Sequence, residues 1–129
     1  MRIVFVVALT LATATIAGSA VRAAQVAAPT PRVIDVIAER FEFWPPAVTI
    51  DEGETVVFQL RSEDTLHGFR IVGTGTNVTV PKRGKGMATA TLAGLKPGRY
   101  TFECSRLCGA GHNFMRGVLI VRAADGSSR

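Results

Sequence analysis

The stretch "GRYTFECSRLCGAGHNFMRGVLIV", Gly98 to Val121, decides how this chain is read. Its first residues alternate: Tyr100 and Phe102 fall on one face, Thr101 and Glu103 on the other, which is the period of a half-buried strand. Its last residues, from Gly117 to Arg122, are again β-formers. Between the two lies "CSRLCGAGHNFM", Cys104 to Met115, where Gly109, Gly111 and Asn113 predict a loop. That loop holds both cysteines of the chain, one of its two histidines and a methionine. In an extended strand, residues four apart stand roughly 13 Å from each other. A compact loop brings such side chains close enough to act on one atom.

Outward from this segment the same pattern recurs. Short runs rich in Val, Ile, Thr and Phe are separated by Gly, Pro and acidic turns, and no segment carries a sustained helical period. Predicted strands are Val33–Ile37, Ala47–Ile50, Thr55–Leu60, Phe69–Val72, Thr76–Val80, Met87–Leu92, Tyr100–Glu103 and Gly117–Arg122. "DEGE" at 51–54 reads as a turn, and "KPGR" at 96–99 places Pro and Gly as a type II turn requires. The fold class that follows is all-β, a Greek-key sandwich.

The ends read differently. Residues 1–24, "MRIVFVVALTLATATIAGSAVRAA", have the basic, apolar and small-residue order of a secretory signal. A retained membrane-anchor helix is the competing reading, since the apolar run is nearly long enough to span a bilayer. Either one delivers the rest of the chain to the outer side of a membrane. Residues 25–32 read as a linker, 33–124 as the domain and 125–129 as a tail. The formal charge of +5 includes Arg2 and Arg22. No basic stripe with interleaved aromatics is present, so nucleic acid is not an expected partner. The tightest basic cluster, "PKRGKG" at 81–86, reads as an exposed loop, with a docking patch for an acidic partner as the minor reading. There is no Ser-His-Asp pattern and no phosphate-binding loop, so the chain by itself is not expected to catalyse a reaction.

His67, in "DTLHGF", lies some forty residues before the cysteines. In a Greek-key sandwich, loops at one end meet although their strands are distant in sequence. The constellation is therefore His67, Cys104, Cys108, His112 and Met115. Thiolate and thioether favour copper over harder metals. Residue chemistry alone leaves four arrangements open. They are a Cys104–Cys108 disulfide in an oxidising compartment, and a structural zinc site of two Cys and two His. The others are a mononuclear blue-copper site on His67, Cys108, His112 and Met115, and a copper site that draws on all five side chains.

"DTLHGF" together with "CSRLCGAGHNFM" resembles the copper-binding domain of cytochrome c oxidase subunit II, a cupredoxin-like sandwich carrying the dinuclear copper A centre. The shared pattern is Asp-x-x-His upstream of Cys-x₃-Cys-x₃-His-x₂-Met. The similarity runs from "FEFWPPAVTIDEGETVVFQLRSEDTLHGF" to "GVLIV", and in layout it is nearest the short, single-anchor type. The resemblance implies that Cys104 and Cys108 bridge two copper ions. It also implies that His67 and Met115 complete one ion, and His112 with the backbone carbonyl of Arg106 the other. It implies electron transport in the periplasm, soluble or anchored to the outer face of the inner membrane. The implied donor is a cytochrome c or another cupredoxin, and the implied partner is a haem-copper oxidase subunit I. Association with the membrane follows if the N-terminus is retained. A protein that handles copper for oxidase assembly is the alternative use of the same ligands.

Two details depart from or refine that picture. Arg106 stands where longer relatives have a glutamate whose side chain reaches a magnesium ion, which an arginine cannot bind. Phe41, Phe43 and Trp44 fall in the region where the family carries aromatics near its electron entry point. Core packing is the expected role for them, with Trp44 the better candidate for a relay. Asp64 is expected to brace the His67 loop through the backbone.

Overall fold

The computed structural model describes residues 29–125. In order, these form β1 (Arg32–Glu39), β2 (Glu42–Trp44), β3 (Ala47–Asp51), β4 (Val56–Ser62) and β5 (His67–Ile71). They continue with β6 (Asn77–Val80), β7 (Ala88–Leu92), β8 (Gly98–Glu103), a 3-10 turn (His112–Phe114) and β9 (Arg116–Arg122). Alternation builds them. In β4, Val56, Phe58, Leu60 and Ser62 are buried, while Val57, Gln59 and Arg61 point to the other face. In β9 the buried set is Gly117, Leu119 and Val121.

One sheet has the order β2-β1-β4-β7 and the other β3-β9-β8-β5-β6. β1 lies parallel to β4, and β3 parallel to β9. The described antiparallel pairs are β1–β2, β4–β7, β5–β6, β5–β8 and β8–β9. Between the layers Phe43, Phe69 and Phe102 pack with ring centroids 5.3 to 5.6 Å apart, and Phe58 meets Phe69 at 5.4 Å. Offset and edge-on contacts of this kind are the favoured geometry for aromatic rings. Gly117 exists to admit them. A Cβ there would lie 2.2 Å from the Phe102 ring and 2.5 Å from the Pro46 carbonyl oxygen.

The eight predicted strands all form, with ends shifted by at most two residues. β2 is the strand that the sequence pattern does not reveal. Its three residues, of which Phe43 alone is buried, are too few to show a period. The expected type II turn at 96–99 is replaced by a bend at Pro97. Gly98, at φ +155°, already pairs with Val121 as the first residue of β8, so the ladder sets its backbone. Arg32 already belongs to β1, which moves the predicted linker boundary inward. The leader at 1–24, the linker up to residue 28 and the tail from 126 lie outside the described residues. Among the described residues no helix is long and apolar enough to cross a membrane.

Candidate metal centre

Strand register brings the two halves of the constellation together. β5 runs antiparallel to β8 with Arg70 opposite Glu103 and Ile71 opposite Phe102. Stepping back along β5 from Arg70 therefore passes the end of β8, and places His67 over the start of the Cys104 loop. His67 is fully buried there. The approach is so close that Gly68 has no room for a side chain. A Cβ would fall 2.1 Å from Ser105 Oγ and 2.9 Å from the backbone nitrogens of Ser105 and Arg106. The Gly68 N–H instead points to Cys104 Sγ at 3.5 Å.

The loop itself is closed at its neck, where Cys104 N–H donates to the Met115 carbonyl at 3.0 Å. A 3-10 turn follows Gly111, with Phe114 N–H bonded to the Gly111 carbonyl and Met115 N–H to that of His112. Phe41 lies against Gly109 and Gly111, where any Cβ would meet its ring at 2.2 to 2.9 Å. So the expectation of packing holds for Phe41 and for the buried Phe43, while Trp44 stands 63% exposed.

Five of the expected groups converge as side chains, and Arg106 as backbone. Cys104 Sγ and Cys108 Sγ are 3.8 Å apart and both cysteines are free and buried. His67 Nδ1 lies 3.8 Å from Cys104 Sγ, and the Arg106 carbonyl oxygen 3.0 Å from the same sulfur. Cys108 Sγ has His112 Nδ1 and Met115 Sδ, each at 3.7 Å. Each sulfur thus has two further donor atoms beside it. The donors of His67, Cys104 and Cys108 all lie within 4.8 Å of one another, and His112 stands outside that trio. With metal–thiolate bonds of about 2.3 Å, sulfurs this far apart can both touch one ion. Met115 is 1% exposed, so its thioether is a buried donor, and a soft donor set of this kind suits copper.

The surroundings orient the ligands. Asp64 Oδ1 is 2.7 Å from His67 Nε2, which leaves Nδ1 facing the sulfurs. Asp64 also accepts hydrogen bonds from the backbone of Thr65 and Arg40. Burial alone would raise its carboxyl, but these bonds outweigh it and hold the group below its ordinary 3.8. The backbone bracing expected for Asp64 is present, and contact with the ring itself is added to it. Burial, and Cys104 after it, push the Cys108 thiol up to about 11. A metal that binds the thiolate would displace this proton.

Sequence reasoning missed Arg40. Its Nε donates to the Cys108 carbonyl at 2.8 Å and lies 3.9 Å from Asp64 Oδ2, tying the two halves of the site together. Residues 68 apart leave no periodic signal. Ser62 was also missed. Its hydroxyl donates to the Thr65 carbonyl at 2.6 Å and accepts from Asp64 N–H. Here "SEDT" did carry a signal, as the side-chain-to-backbone turn that Ser and Asp favour. The Arg106 guanidinium donates to Thr79 Oγ1 at 3.0 Å, on the outer surface.

Comparison with known proteins agrees with this geometry. The cupredoxin-like domain family matches residues 2–121. Cytochrome c oxidase subunit 2 of Thermus thermophilus is 33% identical over 95 residues, 73% of this chain, a stretch that makes up 68% of that relative. Its counterpart from strain ATCC 27634 is equally similar, but there the matched stretch is 55% of the length. A structure of a heme-copper terminal oxidase dimer superposes with TM-score 0.63 at 28% identity, over 70% of this chain and 65% of the other. The periplasmic domain of subunit II of cytochrome oxidase from Bradyrhizobium japonicum shares the fold, with TM-score 0.65 at 15% identity over 75% and 88% of the two chains.

Proposed function

This chain belongs to the cupredoxin-like domain family and is related to cytochrome c oxidase subunit 2, and from that premise we propose that it carries electrons on a pair of copper ions. One observation supports the reading above the others: two free thiols 3.8 Å apart, each with a further nitrogen, oxygen or thioether donor on either hand. Cys104 and Cys108 would bridge the ions. His67 with Met115 would complete one, and His112 with the Arg106 carbonyl the other. His112 standing outside the His67 trio supports a second ion and speaks against a single zinc or blue-copper ion that takes both histidines. The free thiols run against the disulfide reading.

When bound, a copper pair supplies a one-electron couple. The protein's part is to keep the ligands still. Cys104 and Met115 are locked neck to neck, His67 is held by Asp64, and Cys108 is held through its carbonyl by Arg40. Side chains that do not move when charge changes keep the reorganisation small, and electrons exchange quickly. Burial of His67, both cysteines and Met115 keeps most of the sulfur surface from bulk water. The setting that fits is the outer face of a membrane. There the chain acts as the electron-accepting subunit of a haem-copper oxidase or as a freestanding relative, supplied by a cytochrome c or another cupredoxin.

The test is copper loading of the purified chain. Two ions per chain, a purple colour and an electron paramagnetic resonance signal coupled to two copper nuclei are expected. One ion with coupling to a single nucleus would overturn the shared centre in favour of a blue-copper carrier.

A further inference from the structure

The loop that holds the metal ligands also carries the most exposed apolar side chains described. Leu107 is 85% exposed and Phe114 79%, and each sits next to a ligand, Cys108 or Met115. Leu66 and Met87, from neighbouring loops, add to the same end at 42% and 53%. Apolar groups clustered on a site loop mark a contact surface.

What surrounds them is basic. The 81–87 loop bears the exposed Lys82, Arg83 and Lys85, and is pinned to the His67 loop by a hydrogen bond from Arg83 N–H to the Asp64 carbonyl. Arg106 reaches toward that loop through Thr79, and Arg116 closes the arc beside Asn113. The nearby carboxylates are engaged by arginines: Glu63 by Arg61 and Arg83, Asp64 by Arg40, Glu103 by Arg70. Glu39 and Glu42 face each other on the β1–β2 hairpin, which β4 separates from β7, the strand that the 81–87 loop leads into. The charge on this end is therefore lopsided toward positive around an apolar centre.

We propose that Leu107 and Phe114, rimmed by Lys82, Arg83, Lys85, Arg106 and Arg116, dock a small redox protein whose contact face is apolar in the middle and acidic at its edge. This rests on the electron-carrier reading for its purpose, since the docked partner sits above His112, but the surface stands whatever metal the site takes. A basic cytochrome c face would meet like charge here, and opposite charge across an interface governs both encounter rate and choice of partner. A protein rather than a lipid surface is favoured because the apolar residues lie on the ligand loop itself, where close approach to the centre serves a purpose.

The experiment titrates isotope-labelled chain, with and without copper, against mitochondrial cytochrome c and against the same protein with its lysines succinylated. NMR shifts report the footprint. The succinylated form is expected to shift Leu107, Phe114 and Lys85, and to bind at least tenfold more weakly at 300 mM salt than at 20 mM, because screening shortens the reach of surface charge. Lys82→Glu with Lys85→Glu should reverse the preference between the two probes while leaving copper content unchanged. Equal or tighter binding of the unmodified basic protein overturns the proposal. So does binding to phosphatidylserine vesicles with none to the succinylated protein. Docking without copper uptake would sink the electron-carrier reading alone, and copper uptake without docking would sink this inference alone.

Discussion

Asp64 Oδ1 stands 2.7 Å from His67 Nε2, three residues along the chain, and this one contact sets which ring nitrogen looks at the sulfurs. The aspartate is itself held at both ends, by Ser62 and Thr65 on its own turn and by the backbone of Arg40 in the turn between β1 and β2. His67 is therefore oriented by its own turn and by the β1–β2 turn before any metal arrives.

Removing the aspartate's charge should loosen that arrangement. Asp64→Asn is expected to weaken copper binding about 10- to 100-fold, the usual effect of losing a carboxylate behind a ligating imidazole. Competition with a chelator of known affinity measures it. An unchanged affinity would show that His67 is not held through this contact, or is not a ligand.

Cys104→Ser separates the shared from the single-ion arrangement. With one bridging sulfur gone, copper content should fall from two ions to one, and the resonance signal should show coupling to one nucleus. A variant that keeps the parent spectrum would remove Cys104 from the centre.

Gly68→Ala tests the close approach of β5 to the cysteine loop. The added methyl meets backbone nitrogens at 2.9 Å, which a side-chain rotation cannot relieve. A loss of about 1–3 kcal/mol is expected in denaturant unfolding of the copper-free chain, together with weaker copper uptake. Full stability and uptake would mean that the loop can give way.

The Cys108 thiol makes the copper-free chain sensitive to alkali. Its folded value near 11 lies above its ordinary 9.0. Between those values the unfolded chain releases a proton that the folded chain keeps, so stability is complete below about pH 9 and declines toward 11. The denaturation midpoint should fall across that window, and Cys108→Ala should flatten this part of the decline. A variant with the parent's full pH dependence would place the titration elsewhere.

The spacing of Cys104, Cys108, His112 and Met115 was legible because all four belong to one loop, where sequence distance limits spatial distance. His67 was legible as a candidate through the sandwich pattern, but its distance to Cys104 follows from the β5–β8 register. Arg40 and Gly68 were not legible. What they do depends on which backbone lies across from them, and composition is blind to that. β2 escaped for a related reason, since three residues carry no period and form a strand because β1 offers Glu39 to Ala38 and Ile37 as partners.

Alternation of apolar and polar residues by itself determined that the chain makes strands in two layers, and the ligand types by themselves determined that the site is soft. Tertiary structure alone decided that one imidazole stands beside each thiol, and that the 81–87 loop is tied to the turn before His67. The physical reason is that side-chain chemistry and local period are properties of neighbours along the chain. Distances between loops depend instead on strand register, which is settled only when the two sheets close over Phe43, Phe69 and Phe102.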